Sequence, residues 1–295
     1  MKILLTGANG QIGTEILTQK NIDLEFVATN SKQLDIENWE QVKKVLKKVN
    51  PEVVINTAAF TAVDDAETEP EKAYAANEIG AKNLALECTR INCPLIHIST
   101  DFVFDGKKVN PYKEDDPTNP LNTYGKSKLA GEIAIRDNCS DHIILRTAWV
   151  FSPWRKNFMK SILNMLNENQ PLNIIGDQKG SPTAASDIAK TVVKICRQIN
   201  RSGESQFGTF HFCGKGNTSW FGFAKQIGKI WKQFTGKEIN IKEILTSEYP
   251  AIANRPLNSS LDCEKLEEIF GIKTVNWESA VDREVRRYLS MGNKG

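Results

Sequence analysis

The chain has 295 residues, 40% of them hydrophobic, and a formal net charge of +2 with both signs interspersed. That length allows a main domain with a smaller partner, and the balanced charge advertises neither nucleic acid nor a membrane surface as a partner. Six cysteines (Cys88, Cys93, Cys139, Cys196, Cys213, Cys263) without C-x-x-C spacing, beside only three histidines, read as reduced thiols and argue against zinc or disulfide scaffolds.

No run is long enough for a signal-peptide core or a membrane span, so a cytoplasmic protein acting on a small molecule is expected. In chain order, an apolar strand over 2–6 ends at a glycine, and 10–20 reads as a helix with Ile12, Ile16 and Leu17 on one face. Further strands are expected at 24–29, 53–56, 95–99 and 143–146, with helices at 38–49, 70–92 and 124–139. Pro51 and Pro94 punctuate two helix-to-strand joints. Near-continuous apolar strands imply a sheet covered on both faces, and the alternation with helices implies parallel βαβ units. The fold class expected is therefore α/β, a Rossmann-type doubly wound parallel sheet.

After Trp149 the register changes. A basic loop at 152–156 is followed by a helix over 157–168, a polar stretch at 177–183, a helix over 187–199 and an extended segment at 209–213. Helices at 219–234, 263–270 and 277–289 complete the chain. The expected division is a dinucleotide-binding domain over 1–150, with 184–215 packing back onto it, and a smaller α/β substrate lobe made of 151–183 and 216–295. The lobe's aromatics Trp220, Phe221 and Trp231 read as packing.

Gly7-Ala8-Asn9-Gly10-Gln11-Ile12-Gly13 lies between the first strand and the first helix. Glycines there let the backbone turn tightly and approach a pyrophosphate, and a helix N-terminus offers free N–H groups. Gly7, Asn9, Gly10, Gln11, Ile12 and Gly13 are thus cofactor candidates, although the G-x-x-G-x-x-G spacing is one residue longer than the dinucleotide fingerprint. The second strand runs into Asn30-Ser31-Lys32 where an acid would grip a ribose. Ser31 and Lys32 could hold a 2′-phosphate beside Asn30, which tilts the expectation from NAD(H) to NADP(H); a solvated loop lysine is the plain alternative. Asp35, before Ile36, could meet the adenine edge.

Thr100 ends the fourth strand, and Tyr124 and Lys128 are spaced i,i+4 at the start of a helix, on one face. Delivery of a hydride to a ketone leaves an oxyanion that needs a proton. A phenol can supply it if a nearby cation lowers its pKa from about 10 towards neutrality. Lys128 is the candidate cation, and the Thr100 hydroxyl can bond the oxygen where charge develops. A strand-end hydroxyl that only caps a turn is the structural alternative for Thr100.

With these residues in view, the chain resembles the extended short-chain dehydrogenases/reductases, and within them the reductases of dTDP-linked 4-keto-6-deoxyhexoses. The match covers 7–13, 34–36, 54–64, 99–106, 124–132, 145–150, 157–158, 177–183 and 255–256. The resemblance implies NAD(P)H-dependent reduction of the 4-keto group of a nucleotide sugar, with Thr100, Tyr124 and Lys128 catalytic. It also implies that Tyr124 and Lys128 contact the cofactor, that Ala58 and Ala59 line it, and that Val63, Asp64, Phe102 and Trp149 face the nucleotide sugar. Arg255 would suit the diphosphate.

Two departures stand out: the family usually has tyrosine where this chain has Phe60 and Phe102, and phenylalanine cannot donate a hydrogen bond. The related dehydratases read Thr-Asp-Glu where this chain reads Thr100-Asp101-Phe102, so water elimination is disfavoured. Some members bind Mg²⁺ through glutamates at a dimer contact; Glu15 matches one and Asp187 replaces another, so no metal is expected. A homodimer is compatible with the resemblance. Two other readings remain: a non-catalytic nucleotide-binding subunit, as the β subunit of methionine adenosyltransferase resembles this family, and a nucleotide-sugar epimerase that retains NAD⁺.

Overall fold

Side chains of the first strand alternate: Ile3 and Leu5 face one side, Leu4 the other, and all three are fully buried. Such a strand needs cover on both faces. A computed structural model describes residues 1–19, 23–201 and 206–292; the expected end of the first helix at Lys20 and the lobe's last residues, 293–295, lie outside them.

The chain runs β1 (Lys2–Thr6), α1 (Gln11–Thr18), β2 (Glu25–Ala28), α2 (Trp39–Val49), β3 (Val53–Asn56), α3 (Val63–Thr68), α4 (Pro70–Tyr74), α5 (Gly80–Arg90), β4 (Leu95–Thr100), α6 (Thr123–Asn138) and β5 (His142–Thr147). There follow β6 (Val150–Phe151), α7 (Phe158–Asn167), β7 (Leu172–Ile175), β8 (Lys179–Gly180), β9 (Thr183–Ala184), α8 (Ala185–Arg201) and β10 (Gly208–His211). The last elements are β11 (Thr218–Ser219), α9 (Trp220–Thr235), β12 (Ile241–Ile244), α10 (Glu264–Phe270) and α11 (Trp277–Gly292).

Six strands form one parallel sheet in the order β10-β5-β4-β3-β1-β2. One face packs Ile3, Leu5, Ile55, Ile96 and Leu145 against Ile16 of α1, Val192 of α8 and Phe270 of α10. The other packs Leu4, Val54, Leu95 and Ile144 against α2, α5 and α6 through Val42, Leu46, Leu84 and Ile135. Each such side chain contributes roughly 1.5–3 kcal/mol, so the two layers anchor the central strands β1, β3, β4 and β5. The strand order reverses between β1 and β3, the place where doubly wound sheets hold ligands.

The helix expected over 70–92 is interrupted. Between α4 and α5 the segment Ala75–Ile79 is a π-helix, and the wider turn aims Asn77 sideways. Its Oδ1 accepts the Phe60 N–H at 2.9 Å, and its Nδ2 donates to the Phe60 carbonyl at 3.0 Å and to Ser127 Oγ of α6 at 2.9 Å. Local hydrophobic pattern carries no mark of such an inserted residue.

A second core gathers Phe151, Met159, Leu163, Phe223, Ile227, Trp231, Val281 and Val285 from β6, α7, α9 and α11. Three two-stranded sheets trim it: β7 with β12, β8 with β11, and β6 with β9. These strands of two to four residues, and α3, escape sequence reading because they are too short to show a period. Among the described residues no helix is long and apolar enough to cross a membrane.

Candidate active site

Gly7 adopts φ +68°, and a Cβ there would lie 2.5 Å from the Ala58 nitrogen; at Gly13 it would lie 2.5 Å from the Gly7 carbonyl oxygen. The turn therefore presses bare backbone against the end of β3. No side chain caps α1 behind Gly10, so first-turn N–H groups remain free for an anion. A cleft of about 610 Å³ opens over them, lined by Gly7, Asn9, Gly10, Asn30, Ser31, Lys32, Asp35, Ile36, Ala58 and Ala59. This cradle fits a dinucleotide phosphate in donor chemistry and in the absence of side chains. Arg155, in sequence only one member of a basic loop, donates from Nε to the Asn9 carbonyl at 2.6 Å and lines this cleft and its neighbour.

The neighbouring cavity, about 750 Å³, is bounded by Gln11, Ile12, Val63, Thr100, Phe102, Tyr124, Lys128, Trp149 and Arg255 among others. Thr100 ends β4, and Tyr124 and Lys128 lie in the first turns of α6. That helix starts where the Asn122 side chain accepts the Gly125 N–H at 2.8 Å. The Tyr124 ring meets Phe102 edge-on with centroids 5.8 Å apart.

The Tyr124 phenol is not lowered by Lys128 as the sequence leads one to expect. Burial instead pushes the phenol up to about 12, against a hydrogen bond with Thr100 that favours its ionised form. Burial likewise pushes Lys128 down to about 8, against the attraction of Glu132. The lysine amine is engaged below the cavity: Nζ lies 3.0 Å from His97 Nε2 and donates to the Ile98 carbonyl at 2.7 Å. Beneath it the buried Glu132 accepts from Arg146 at 2.7 and 2.9 Å and from Ser99 at 2.5 Å. Asp101, which sequence singles out only as the middle of a motif, also lines the cavity, and burial pushes its carboxyl up to about 7.

On the far wall Trp149, at φ +46°, stacks on Trp220 with centroids 3.6 Å apart and planes 4° from parallel. The packing role expected for Trp220 is therefore incomplete: it lines the cavity, as does Phe158, which rests on it at 4.6 Å. Behind Trp149 lies Gly180, where a Cβ would stand 2.4 Å from the indole. Only the three-dimensional pairing of α9 with the turn between β5 and β6 reveals this wall.

Asp64 is not among the residues bounding the cavity. Its carboxylate accepts from Arg255 Nη2 at 2.6 Å and from the Ala253 N–H at 3.0 Å, and the guanidinium holds it below the usual carboxylate range. Arg255 thus reaches the cavity with its charge already shared. Glu15 accepts from Trp154 Nε1 and Arg287 Nη1, each at 2.7 Å, and Asp187 accepts from Arg283 at 2.7 Å. Guanidinium groups balance both acids that the resemblance linked to Mg²⁺. The Cys213 and Cys263 thiols are free and 3.6 Å apart.

Residues 1–290 match the family model described as the RmlD substrate binding domain. A dTDP-4-dehydrorhamnose reductase of Sinorhizobium fredii is 40% identical over 99% of both chains. Among solved structures, a dTDP-4-dehydrorhamnose reductase from Clostridium acetobutylicum superposes with a TM-score of 0.91 at 38% identity, covering 98% of this chain and 100% of that one. Another, from Bacillus anthracis and in complex with NADP, superposes with a TM-score of 0.90 at 32% identity, covering 97% of this chain and 99% of that one.

Proposed function

The chain belongs to the RmlD substrate binding domain family, and from that premise we propose that it is an NAD(P)H-dependent reductase converting dTDP-4-dehydrorhamnose to dTDP-L-rhamnose. The observation that carries the reading is the convergence of Thr100, Tyr124 and Lys128 on one cavity that adjoins the glycine cradle. When bound, a nicotinamide cofactor supplies the hydride.

The chain's own groups do the rest. Gly7, Gly10 and Gly13 would offer backbone to the diphosphate with Asn9, Gln11 and Ile12, Arg155 at the rim would supply a positive charge, and Ser31 and Lys32 would suit a 2′-phosphate. Asn30, Asp35, Ile36, Ala58 and Ala59, which line the cleft, would hold the rest of the cofactor. The Thr100 hydroxyl, which donates to Asp101 Oδ1 at 3.1 Å, would turn its hydrogen to the 4-keto oxygen and steady the charge that grows there. Tyr124 Oη then gives its proton to that oxygen. A phenol at about 12 holds the proton until an alkoxide is there to take it. Val63, Phe102, Trp149, Trp220 and Arg255 border the sugar nucleotide, and Asp64 acts through Arg255.

Residues 1–150 with 184–215 form the dinucleotide half in this reading, and 151–183 with 216–295 the substrate lobe; β10 in the main sheet and the separate second core support it, whereas α10 departs from it by packing Leu266 and Phe270 on the main-sheet core. The reading includes a cytoplasmic enzyme with a nucleotide-sugar partner, no nucleic-acid partner and room for a homodimer. The intact hydroxyl, phenol and amine set weighs against a non-catalytic subunit, and an epimerase would retain NAD⁺ through purification. The test is direct: purified protein oxidises NADPH or NADH only when given dTDP-4-dehydrorhamnose, and Tyr124→Phe lowers kcat by about a hundredfold or more. Full activity in that variant overturns the mechanism.

A further inference from the structure

Below the cavity floor, three buried side chains form a line whose protons can be assigned. Lys128 Nζ is 3.0 Å from His97 Nε2, and His97 Nδ1 is 2.9 Å from Asn56 Nδ2. His97 and Asn56 are almost wholly buried, as is Lys128. The assignment begins at a group with no choice: the Ala58 backbone N–H can only donate, and it lies 3.1 Å from Asn56 Oδ1. The Thr6 hydroxyl is 2.6 Å from the same oxygen. The Asn56 oxygen therefore faces the β3 turn, and its NH₂ faces the imidazole. An NH₂ only donates, so His97 Nδ1 accepts, and a neutral ring that accepts at Nδ1 carries its hydrogen on Nε2. Burial holds His97 well below the usual imidazole range, which keeps it neutral. The Nε2–H therefore points at Lys128 Nζ.

We propose that His97 is a positioning residue that donates Nε2–H to the lone pair of Lys128 and so favours the free amine, with Asn56 selecting the tautomer that makes this possible. An ammonium at the same place sets N–H against N–H. Lys128 then keeps one acceptor, the Ile98 carbonyl at 2.7 Å. The groups around the amine complete the picture. Glu132, one turn along α6, favours the ammonium, but its carboxylate is already taken by Arg146, Arg136 and Ser99. Tyr124 and Asp101 border the cavity above, and His142 acts on His97 from β5. Burial works in the same direction as the His97 donor. The proposal rests on the reading above for one consequence only: if reduction needs a protonated Lys128 beside Tyr124, kcat/KM falls as pH rises through the lysine's titration.

The first test needs no turnover. With only three histidines in the chain, ¹⁵N-histidine spectra resolve each ring, and His97 is expected neutral with hydrogen on Nε2 between about pH 6 and 9. Asn56→Asp sets a carboxylate against Nδ1, so the hydrogen moves there and Nε2 becomes an acceptor for the ammonium. The alkaline limb of kcat/KM should then rise by about one pH unit or more. His97→Gln, whose side-chain oxygen can turn to Nζ, should shift it the same way. A wild-type His97 protonated on Nδ1 overturns the proposal, as do variants that lower kcat with the limb unmoved, the behaviour of a merely structural residue. An Nε2–H spectrum in a protein that reduces no keto sugar supports the tautomer assigned here and overturns the function proposed above.

Discussion

The two walls of the candidate active-site cleft are made of different material. At its centre the wall proposed for the cofactor is backbone: Gly7 folds against the Ala58 amide, Gly10 and Gly13 against the Gly7 carbonyl, and the turn 7–13 contains no ionisable side chain. The substrate wall is side chain, brought from segments far apart in sequence: Trp149 on Trp220, Arg255 on Asp64, Phe102 on Tyr124. A backbone wall is rigid because nothing in it can rotate away. A side-chain wall takes its shape from what lies behind it, so it can be retuned by changes that touch no ligand.

The contrast is sharpest in ionisation. Asp101, on the substrate side, is pushed up to about 7 by burial, whereas an unfolded aspartate titrates near 4. A raised carboxyl contributes stability that is full below about pH 4 and lost as pH rises through about 7, up to about 4 kcal/mol. Asp101→Asn should flatten that part of the stability profile, measured as denaturation midpoints at acid and neutral pH; an unchanged slope would show the carboxyl to be ionised in the fold. Next in size is Gly13→Ala. Its methyl would meet the Gly7 oxygen at 2.5 Å and Ala8 Cα at 2.7 Å, backbone that cannot move aside. NADPH affinity should drop about a hundredfold, roughly 3 kcal/mol, as read by fluorescence titration. Smallest is Gly180→Ala, which pushes Trp149 off its stack. KM for the nucleotide sugar should rise about tenfold, near 1.4 kcal/mol, with NADPH binding unchanged. Equal damage to NADPH binding would mean that the two walls are one.

The same division explains what sequence discloses and what it hides. Alternating apolar strands, the glycine turn and the i,i+4 pair are local patterns, so the parallel sheet and the Thr100, Tyr124, Lys128 set are legible in sequence. The cavity role of Trp220 is not, because a tryptophan at the start of an amphipathic helix looks like packing until its stacking partner is known. Nor can the i,i+4 spacing disclose that Lys128 turns to His97, since that contact joins α6 to β4 across 31 positions. The expected depression of the Tyr124 phenol fails for the same reason: spacing gives proximity along a helix and says nothing of burial, the larger influence on both groups.

The π turn at Ala75–Ile79 has a consequence for inheritance. A helix that gains one residue without gaining a turn acts as a phase shifter: everything after it is rotated by about 100° relative to an uninterrupted helix. Loss of a single codon in this stretch would leave a longer, more regular α-helix and would swing the Asn77 amide off Phe60 and Ser127. A change in length here therefore disturbs the Asn77 contacts even where no side chain that makes them is altered, a constraint that counts residues.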